Sequence, residues 1–205
     1  IETHNYMGGQ KHGVCVGYYN NGTFRYIHNY VNGEENGEYI CYYRNGTTIR
    51  YKGNYINGKP HGICIWYYDD GTIRCKCGYV DGNRHGTDVE YYFTGLDGTI
   101  RYMCNYVNDK PDGEQVDYYE ETGLTALDGN IEVKHHYVYG ISQGIHTEYY
   151  EETGLTALDG NIKLKENYVD GKKHGEHICY DEHTGEIIHK HNYKDGRIVD
   201  QNINP

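Results

Sequence analysis

The sequence predicts an all-β fold, an elongated single-layer antiparallel sheet built from about seven tandem β-hairpins. Composition is the first observation behind this prediction, because the 205 residues include 28 Gly and 26 Tyr but only three Pro. Tyr favours strands and Gly favours tight turns. The aromatic fraction of 14% is too high for a disordered chain. The other two observations are a recurring Tyr pair and a connection of constant length.

The Tyr pair marks each predicted hairpin. Its first Tyr recurs at Tyr18, Tyr42, Tyr67, Tyr91, Tyr118 and Tyr149, and a seventh copy is degraded to Tyr180-Asp181. A Gly lies five residues before each copy. After a partial repeat over residues 1–12, the repeats therefore start at Gly13, Gly37, Gly62, Gly86, Gly113, Gly144 and Gly175. Together they predict a single repeat domain over residues 1–205.

Two kinds of connection alternate between the predicted strands. One keeps its length and contains Asn-Gly or Asp-Gly, as in "YVNGEENG" and "YINGKPHG". These dipeptides supply the positive φ of tight hairpins, although Asn108-Asp109 puts Asp where Gly is preferred. The other connection varies from "NNG" to "EETGLTALDG". The longest version lies within fourteen residues that are copied identically at 118–131 and 149–162.

Side-chain alternation predicts the register of the third hairpin. A three-residue loop makes Tyr67 oppose Ile73 and Ile65 oppose Cys75. One face then holds Ile63, Ile65, Tyr67, Ile73, Cys75, Cys77 and Tyr79. The opposite face holds Trp66, Tyr68 and Arg74, and Trp66 facing Arg74 suggests a cross-strand cation–π pair. Arg25, Arg50 and Arg101 sit in matching places.

The stretch "NYINGKPHGICIWYYDDGTIR" resembles a MORN-type repeat, in the short variant with a Tyr pair and an Asn/Asp-Gly turn. The resemblance covers the chain from about Asn5 to Gly196 and departs from the pattern at "NDKPDG" and "YGISQG". It implies a twisted sheet of successive hairpins that acts as a scaffold or binding module. Related short repeats also resemble bacterial antitoxin-like proteins and repeat proteins of large DNA viruses.

Charge and cysteine content narrow the expected partners and compartment. The net charge is −11, so neither nucleic acid nor an anionic membrane is expected to bind. No apolar run approaches the ~20 residues of a membrane-spanning helix. Seven Cys without framework spacing favour the cytoplasm or another reducing compartment, with virion association as an alternative.

No catalytic or cofactor motif is present, so we expect neither an enzyme nor a bound cofactor. The His-Gly positions recur every second strand, ~9.6 Å apart, which is too far for a shared metal; they are His12, His61, His85 and His174. A denser cluster comprises His174, His177, Cys179, His183, His189 and His191. The predicted register puts His177 and Cys179 on the face opposite His189 and His191, which argues against a metal site there.

Thiols and acidic loops also have ordinary interpretations. Cys64, Cys75, Cys77 and Cys104 lack a Cys-x-x-Cys spacing and are expected to be small buried residues, with Cys64 pointing away from the others. No disulfide is expected between Cys77 and Cys104. The acidic residues of the long loops match no EF-hand and are expected to be solvated; they are Glu120, Glu121, Asp128, Glu151, Glu152 and Asp159.

Five of the six Leu fall in the extended loops. Apolar loop tips either cover each other or contact a partner, and both alternatives stay open. The candidate partner-binding residues are therefore Trp66, Tyr68, Arg74, Leu96, Leu124, Leu127, Leu155 and Leu158.

The sequence thus predicts a non-catalytic scaffold that binds another protein through its Tyr-rich face and extended loops. An antitoxin-like or immunity-like inhibitor and a structural component of a large DNA virus are the alternatives. Self-association through open edge strands is also expected to be possible. The strand before Tyr6 is expected to pair with upstream sequence or with a partner chain.

Overall fold

The computed structural model describes residues 1–93, 99–120, 131–151 and 162–199. The chain divides into two compact units, unit 1 (Ile1–Gly98) and unit 2 (Thr99–Pro205). All regular elements in the described residues are β-strands, and the strands pair antiparallel, which confirms the predicted fold class.

Unit 1 is a single layer in which successive long strands pair in chain order. Its strands are β1 (Glu2–Thr3), β2 (Tyr6–Met7), β3 (Gln10–Lys11), β4 (Gly13–Tyr18), β5 (Phe24–Val31), β6 (Glu34–Tyr42), β7 (Ile49–Ile56), β8 (Lys59–Pro60), β9 (Gly62–Tyr67), β10 (Ile73–Val80) and β11 (Asn83–Tyr91). Strand β7 pairs with both β8 and β9, whereas β2 and β3 form a separate hairpin. Strand β1 pairs with β4, and among the described residues its other edge has no strand, so its expected upstream partner stays a prediction.

Unit 2 repeats the same arrangement. Its strands are β12 (Ile100–Val107), β13 (Lys110–Tyr118), β14 (Ile131–Val138), β15 (Ile141–Ser142), β16 (Gly144–Tyr149), β17 (Ile162–Val169), β18 (Lys172–Tyr180), β19 (Ile187–Lys194) and β20 (Arg197–Ile198). Strand β14 pairs with β15 and β16, as β7 pairs with β8 and β9. Strands β13 and β14, β16 and β17, and β18 and β19 pair antiparallel.

The constant connections are two-residue hairpin turns. In the turn after β5, Asn32 and Gly33 have φ of 51° and 86°. Asn108 and Asp109 adopt the same left-handed geometry, with φ of 51° and 64°. Asp therefore accepts the position that Gly fills in the other repeats, at the steric cost expected for a residue with a Cβ.

A β-bulge recurs at the start of the second strand of the hairpins, and it corrects the predicted register. Tyr67 opposes Ile73 as expected, but Arg74 is an extra residue, so Cys75 opposes Trp66 and Ile65 opposes Lys76. The extra residue reverses the alternation. Cys75, Cys77 and Tyr79 consequently share a face with Cys64 and Trp66 rather than with Ile63 and Ile65. The predicted Trp66–Arg74 pair is wrong for the same reason.

The second Tyr of each pair links consecutive repeats. Its hydroxyl donates a hydrogen bond to the main-chain carbonyl of the first Tyr of the next pair. The described links are Tyr19–Tyr42 (2.7 Å), Tyr43–Tyr67 (2.6 Å), Tyr68–Tyr91 (2.8 Å), Tyr119–Tyr149 (2.8 Å) and Tyr150–Tyr180 (3.0 Å). The Tyr pair is therefore a structural element that fixes one repeat on the next.

Candidate interaction surface

An open groove of about 330 Å³ lies on the face of unit 1 that carries Cys64, Trp66 and Tyr79. We call it the aromatic groove, and its lining residues are Tyr39, Tyr51, Tyr55, Pro60, Trp66 and Tyr79. They come from β6 to β10, so the groove runs across several strands. Tyr51 is buried, whereas the other five are half-buried and present part of their surface to solvent.

Ring–ring contacts hold the groove in shape. The Trp66 ring centroid lies 4.9 Å from that of Tyr51 and 6.5 Å from that of Tyr79. Tyr39 contacts Tyr51 at 5.5 Å and Tyr55 edge-to-face at 5.9 Å. Such tilted and edge-to-face pairs are favourable arrangements of aromatic rings. The groove is thus pre-formed by mutual packing of its walls.

Small residues make room for these rings. Gly53 is on β7, and a Cβ at this position would overlap the Tyr51 hydroxyl and the Cys64 sulfur. Gly17 on β4 has the same relation to the Tyr26 ring. A strand Gly beneath an aromatic ring lets the ring lie flat on the sheet. Of the four cysteines expected to be buried, Cys64, Cys77 and Cys104 are buried, whereas Cys75 is only half-buried.

The Tyr51 and Tyr79 hydroxyls of the groove stay protonated at neutral pH. Burial raises the pKa of Tyr79 to about 12. Burial, with hydrogen bonds to Cys64 and Tyr55, raises the pKa of Tyr51 still further. The Tyr51 hydroxyl donates to Cys64 Sγ at 3.2 Å. The groove therefore offers neutral aromatic surface with hydroxyl groups at fixed places.

The structure separates the predicted partner-binding residues. Trp66 is in the groove. Tyr68 lies outside it, with its ring 4.8 Å from that of Phe93 and its hydroxyl bonded to the Tyr91 carbonyl. Arg74 is exposed at its bulge. The five loop residues, Leu96, Leu124, Leu127, Leu155 and Leu158, lie outside the described residues.

Sequence analysis missed the other five groove residues. Pro60 and the four Tyr share a face with Trp66 only because of the bulges, which the alternation of side chains in the sequence does not reveal. A usable signal was present, since the bulged residue is charged in most repeats: Arg25, Arg50, Arg74, Glu132 and Lys163.

Unit 2 has a row of polar side chains at the positions that hold Cys15, His28, Tyr39, Gly53, Cys64, Cys77 and Asp88 in unit 1. We call these side chains of unit 2 the polar row: Gln115, His135, His146, Glu166, His177 and His191. His135 Nδ1 lies 2.7 Å from His146 Nδ1. Burial, and then the nearby charge of His146, lowers the pKa of His135. At this distance one Nδ1 carries the hydrogen and the other accepts it.

Glu166 is the most buried member of the polar row, at 4% exposure. It accepts hydrogen bonds from Lys173 Nζ at 2.6 Å, the Tyr168 hydroxyl at 2.7 Å and His177 Nδ1 at 2.7 Å. Burial alone would raise the pKa of Glu166, but these three donors outweigh it and lower the pKa below its ordinary value. Glu166 is therefore a carboxylate at neutral pH.

The predicted separation of the histidine cluster is wrong. His177 opposes His191 and Cys179 opposes His189, because a bulge at Ile188 reverses the alternation. Cys64 likewise opposes Cys77 instead of pointing away from it. Even so, within the described ranges no three His, Cys, Asp or Glu side chains are grouped as metal ligands.

Comparisons with known proteins give no family assignment. No protein-family model matches the chain, and no curated protein sequence matches it. Among residues 1–93, 99–120, 131–151 and 162–199, we find no helix with the length and apolar content needed to span a bilayer. The function must therefore be argued from the surface itself.

Proposed function

We propose that the chain is a non-catalytic repeat scaffold, of the MORN type that its repeats resemble, and that it binds another protein through the aromatic groove of unit 1. The convergence of four Tyr, one Pro and the single Trp of the chain on one groove is the observation that carries this proposal. Tyr and Trp dominate protein-binding hot spots because they bury a large area with little loss of side-chain entropy.

The form of the groove favours an extended polypeptide segment as its occupant. Its walls come from five neighbouring strands, and it is open to solvent. A small-molecule site would instead enclose most of its ligand. The Tyr79 hydroxyl, which stays protonated, is a suitable donor for a main-chain carbonyl of the bound segment.

Selection from a displayed library of random peptides tests this proposal. The full chain is immobilised, and the affinity of each selected peptide is measured by calorimetry for the wild type, Trp66→Ala and Tyr68→Phe. We expect Trp66→Ala to weaken binding about tenfold or more, which is ~1.4 kcal/mol. Tyr68→Phe is the matched control, because Tyr68 lies on the neighbouring aromatic contact outside the groove.

The proposal fails if the selected peptides bind Trp66→Ala as tightly as the wild type, or if no peptide is selected. Equal losses in Trp66→Ala and Tyr68→Phe would also contradict it, since they would indicate a general loss of folding rather than a lost contact.

A further inference from the structure

Two repeats carry almost the same pentapeptide, and their one difference changes the surroundings of a thiol. Residues 38–42 are "EYICY" and residues 176–180 are "EHICY". Cys41 and Cys179 occupy the same place in their repeats, and both are half-buried. Tyr39 precedes the first thiol by two residues, whereas His177 precedes the second.

His177 connects Cys179 to a buried carboxylate. Its Nε2 lies 3.6 Å from Cys179 Sγ, and its Nδ1 lies 2.7 Å from Glu166 Oε2. Because Glu166 is ionised, it accepts a hydrogen bond from His177 Nδ1–H. The Nε2 lone pair then faces the sulfur. Enzymes activate thiols by this arrangement, in which a base contacts the nucleophile and a third group orients the base.

We propose that Cys179 is a nucleophilic thiol and a covalent modification site for small neutral carbon electrophiles, with His177 as its base and Glu166 as the residue that positions His177. In the reaction, the thiol proton passes to His177 Nε2 while the sulfur electron pair forms an S–C bond. The leaving group departs as an anion with the electrons of its broken bond to carbon. His177 then releases the proton to solvent.

The pKa of Cys179 allows proton transfer to His177 to be distinguished from the reactivity of an unassisted thiol. Burial, followed by the charges of Glu166 and Glu148, raises the pKa of Cys179. Without a base, Cys179 would therefore be a slow thiol. Reactivity above that of an ordinary half-buried cysteine would have to come from proton transfer to His177.

Cys41 provides the matched comparison within the same chain. Its neighbour Tyr39 has a pKa raised by burial, and a neutral phenol cannot take up the proton of a thiol. On the neighbouring strand, His28 opposes Tyr39, whereas Glu166 opposes His177 in the other repeat. Cys41 thus has neither the base nor the carboxylate.

Limited alkylation of the full chain tests the proposal. The protein is treated with iodoacetamide at pH 7.5, and the labelling of each cysteine is followed by peptide mass spectrometry. We expect Cys179 to react about tenfold faster than Cys41, which is less than the ~10²-fold that base assistance typically contributes, because Sγ and Nε2 are 3.6 Å apart. His177→Tyr copies the residue at position 39 and is expected to remove this excess while the Cys41 rate stays constant.

Two further measurements keep the test decisive. His177→Gln retains a polar side chain, and the buried Cys104 reports unfolding, because its labelling rises only if unit 2 opens. The rate of Cys179 labelling, plotted against pH, should show an inflection that is absent in His177→Gln. In Glu166→Gln, labelling of Cys179 should be a few-fold slower and the inflection should lie at a different pH. A Cys179 rate no higher than that of Cys41, or one unchanged in both His177 variants, overturns the proposal.

Discussion

Units 1 and 2 have the same hairpin architecture but differ in the chemistry of the face that the bulges create. In unit 1 the central positions of this face hold Cys15, His28, Tyr39, Gly53, Cys64, Cys77 and Asp88 beside the aromatic groove. In unit 2 they hold the buried Cys104 followed by the polar row. The same pattern of strand pairing therefore accommodates two different sets of side chains at the central positions of this face. The turns, the bulges and the Tyr links specify the fold, while the residues at these central positions can vary.

We expect the largest change in the stability of one unit relative to the other when a buried aromatic ring is removed from unit 1. Tyr51→Ala should lower the stability of unit 1 by about 3 kcal/mol, because Tyr51 is 9% exposed and contacts both Trp66 and Tyr39. Hydrogen exchange monitored for each unit measures the loss. Tyr51→Phe, which removes only the hydroxyl, is the control and should cost about 1 kcal/mol. Equal losses in the two variants would mean that the ring packing contributes little.

The corresponding experiment in unit 2 removes a charge. Glu166→Gln should destabilise unit 2 by about 2 kcal/mol at neutral pH, because Lys173 and His177 lose their buried carboxylate while both remain partly hydrated. The folded-state pKa of Glu166 is lowered, so its contribution is present above the unfolded value of 4.5 and is lost as pH falls through the folded value. The wild-type and variant stabilities should therefore converge below pH 4.5, and a gap that persists there would contradict this assignment.

Mild acid should destabilise both units, and a substitution at His135 should change the response of unit 2 alone. The folded pKa of His135 is lowered from 6.5, so the folded state takes up a proton less readily than the unfolded state. The contribution of His135 to stability is then constant above pH 6.5 and falls as pH drops below it, by up to about 1.4 kcal/mol for each unit of difference between the folded and unfolded pKa. His135→Gln should reduce this loss in unit 2. Unit 1 contains His28, whose pKa burial also lowers, and should keep its own acid sensitivity in this variant. An unchanged acid response of unit 2 would show that the His135–His146 pair does not control it.

The smallest effect should be the same in both units. Tyr43→Phe in unit 1 and Tyr150→Phe in unit 2 each remove one hydroxyl-to-carbonyl link between repeats. Each should cost about 0.5–1.5 kcal/mol in urea unfolding. Tyr18→Phe serves as the control, since among the described residues the Tyr18 hydroxyl has no such link. If only one of the two Phe variants is destabilised, the link is not a shared element of the repeat.

Sequence patterns predicted the periodic parts of this molecule. The Gly and Tyr landmarks defined the hairpins, and Asn-Gly and Asp-Gly defined the turns, because positive φ leaves few alternatives. The faces could not be predicted, because one bulged residue per hairpin reverses every side chain beyond it. Arg74 was interpreted as a partner for Trp66 when it is the inserted residue. The same error hid the groove, separated Cys64 from Cys77, and split His177 and Cys179 from His189 and His191.

The emission of Trp66 tests the central claim, an aromatic groove that holds a partner segment, most directly. Trp66 is the only Trp in the chain and lies in the groove wall, so its fluorescence reports groove occupancy without a label. On titration with a selected peptide, we predict a saturable blue shift as the half-buried indole loses contact with water. The dissociation constant should agree with calorimetry. Saturable binding by calorimetry with no change in Trp66 emission would place the partner elsewhere and contradict the account.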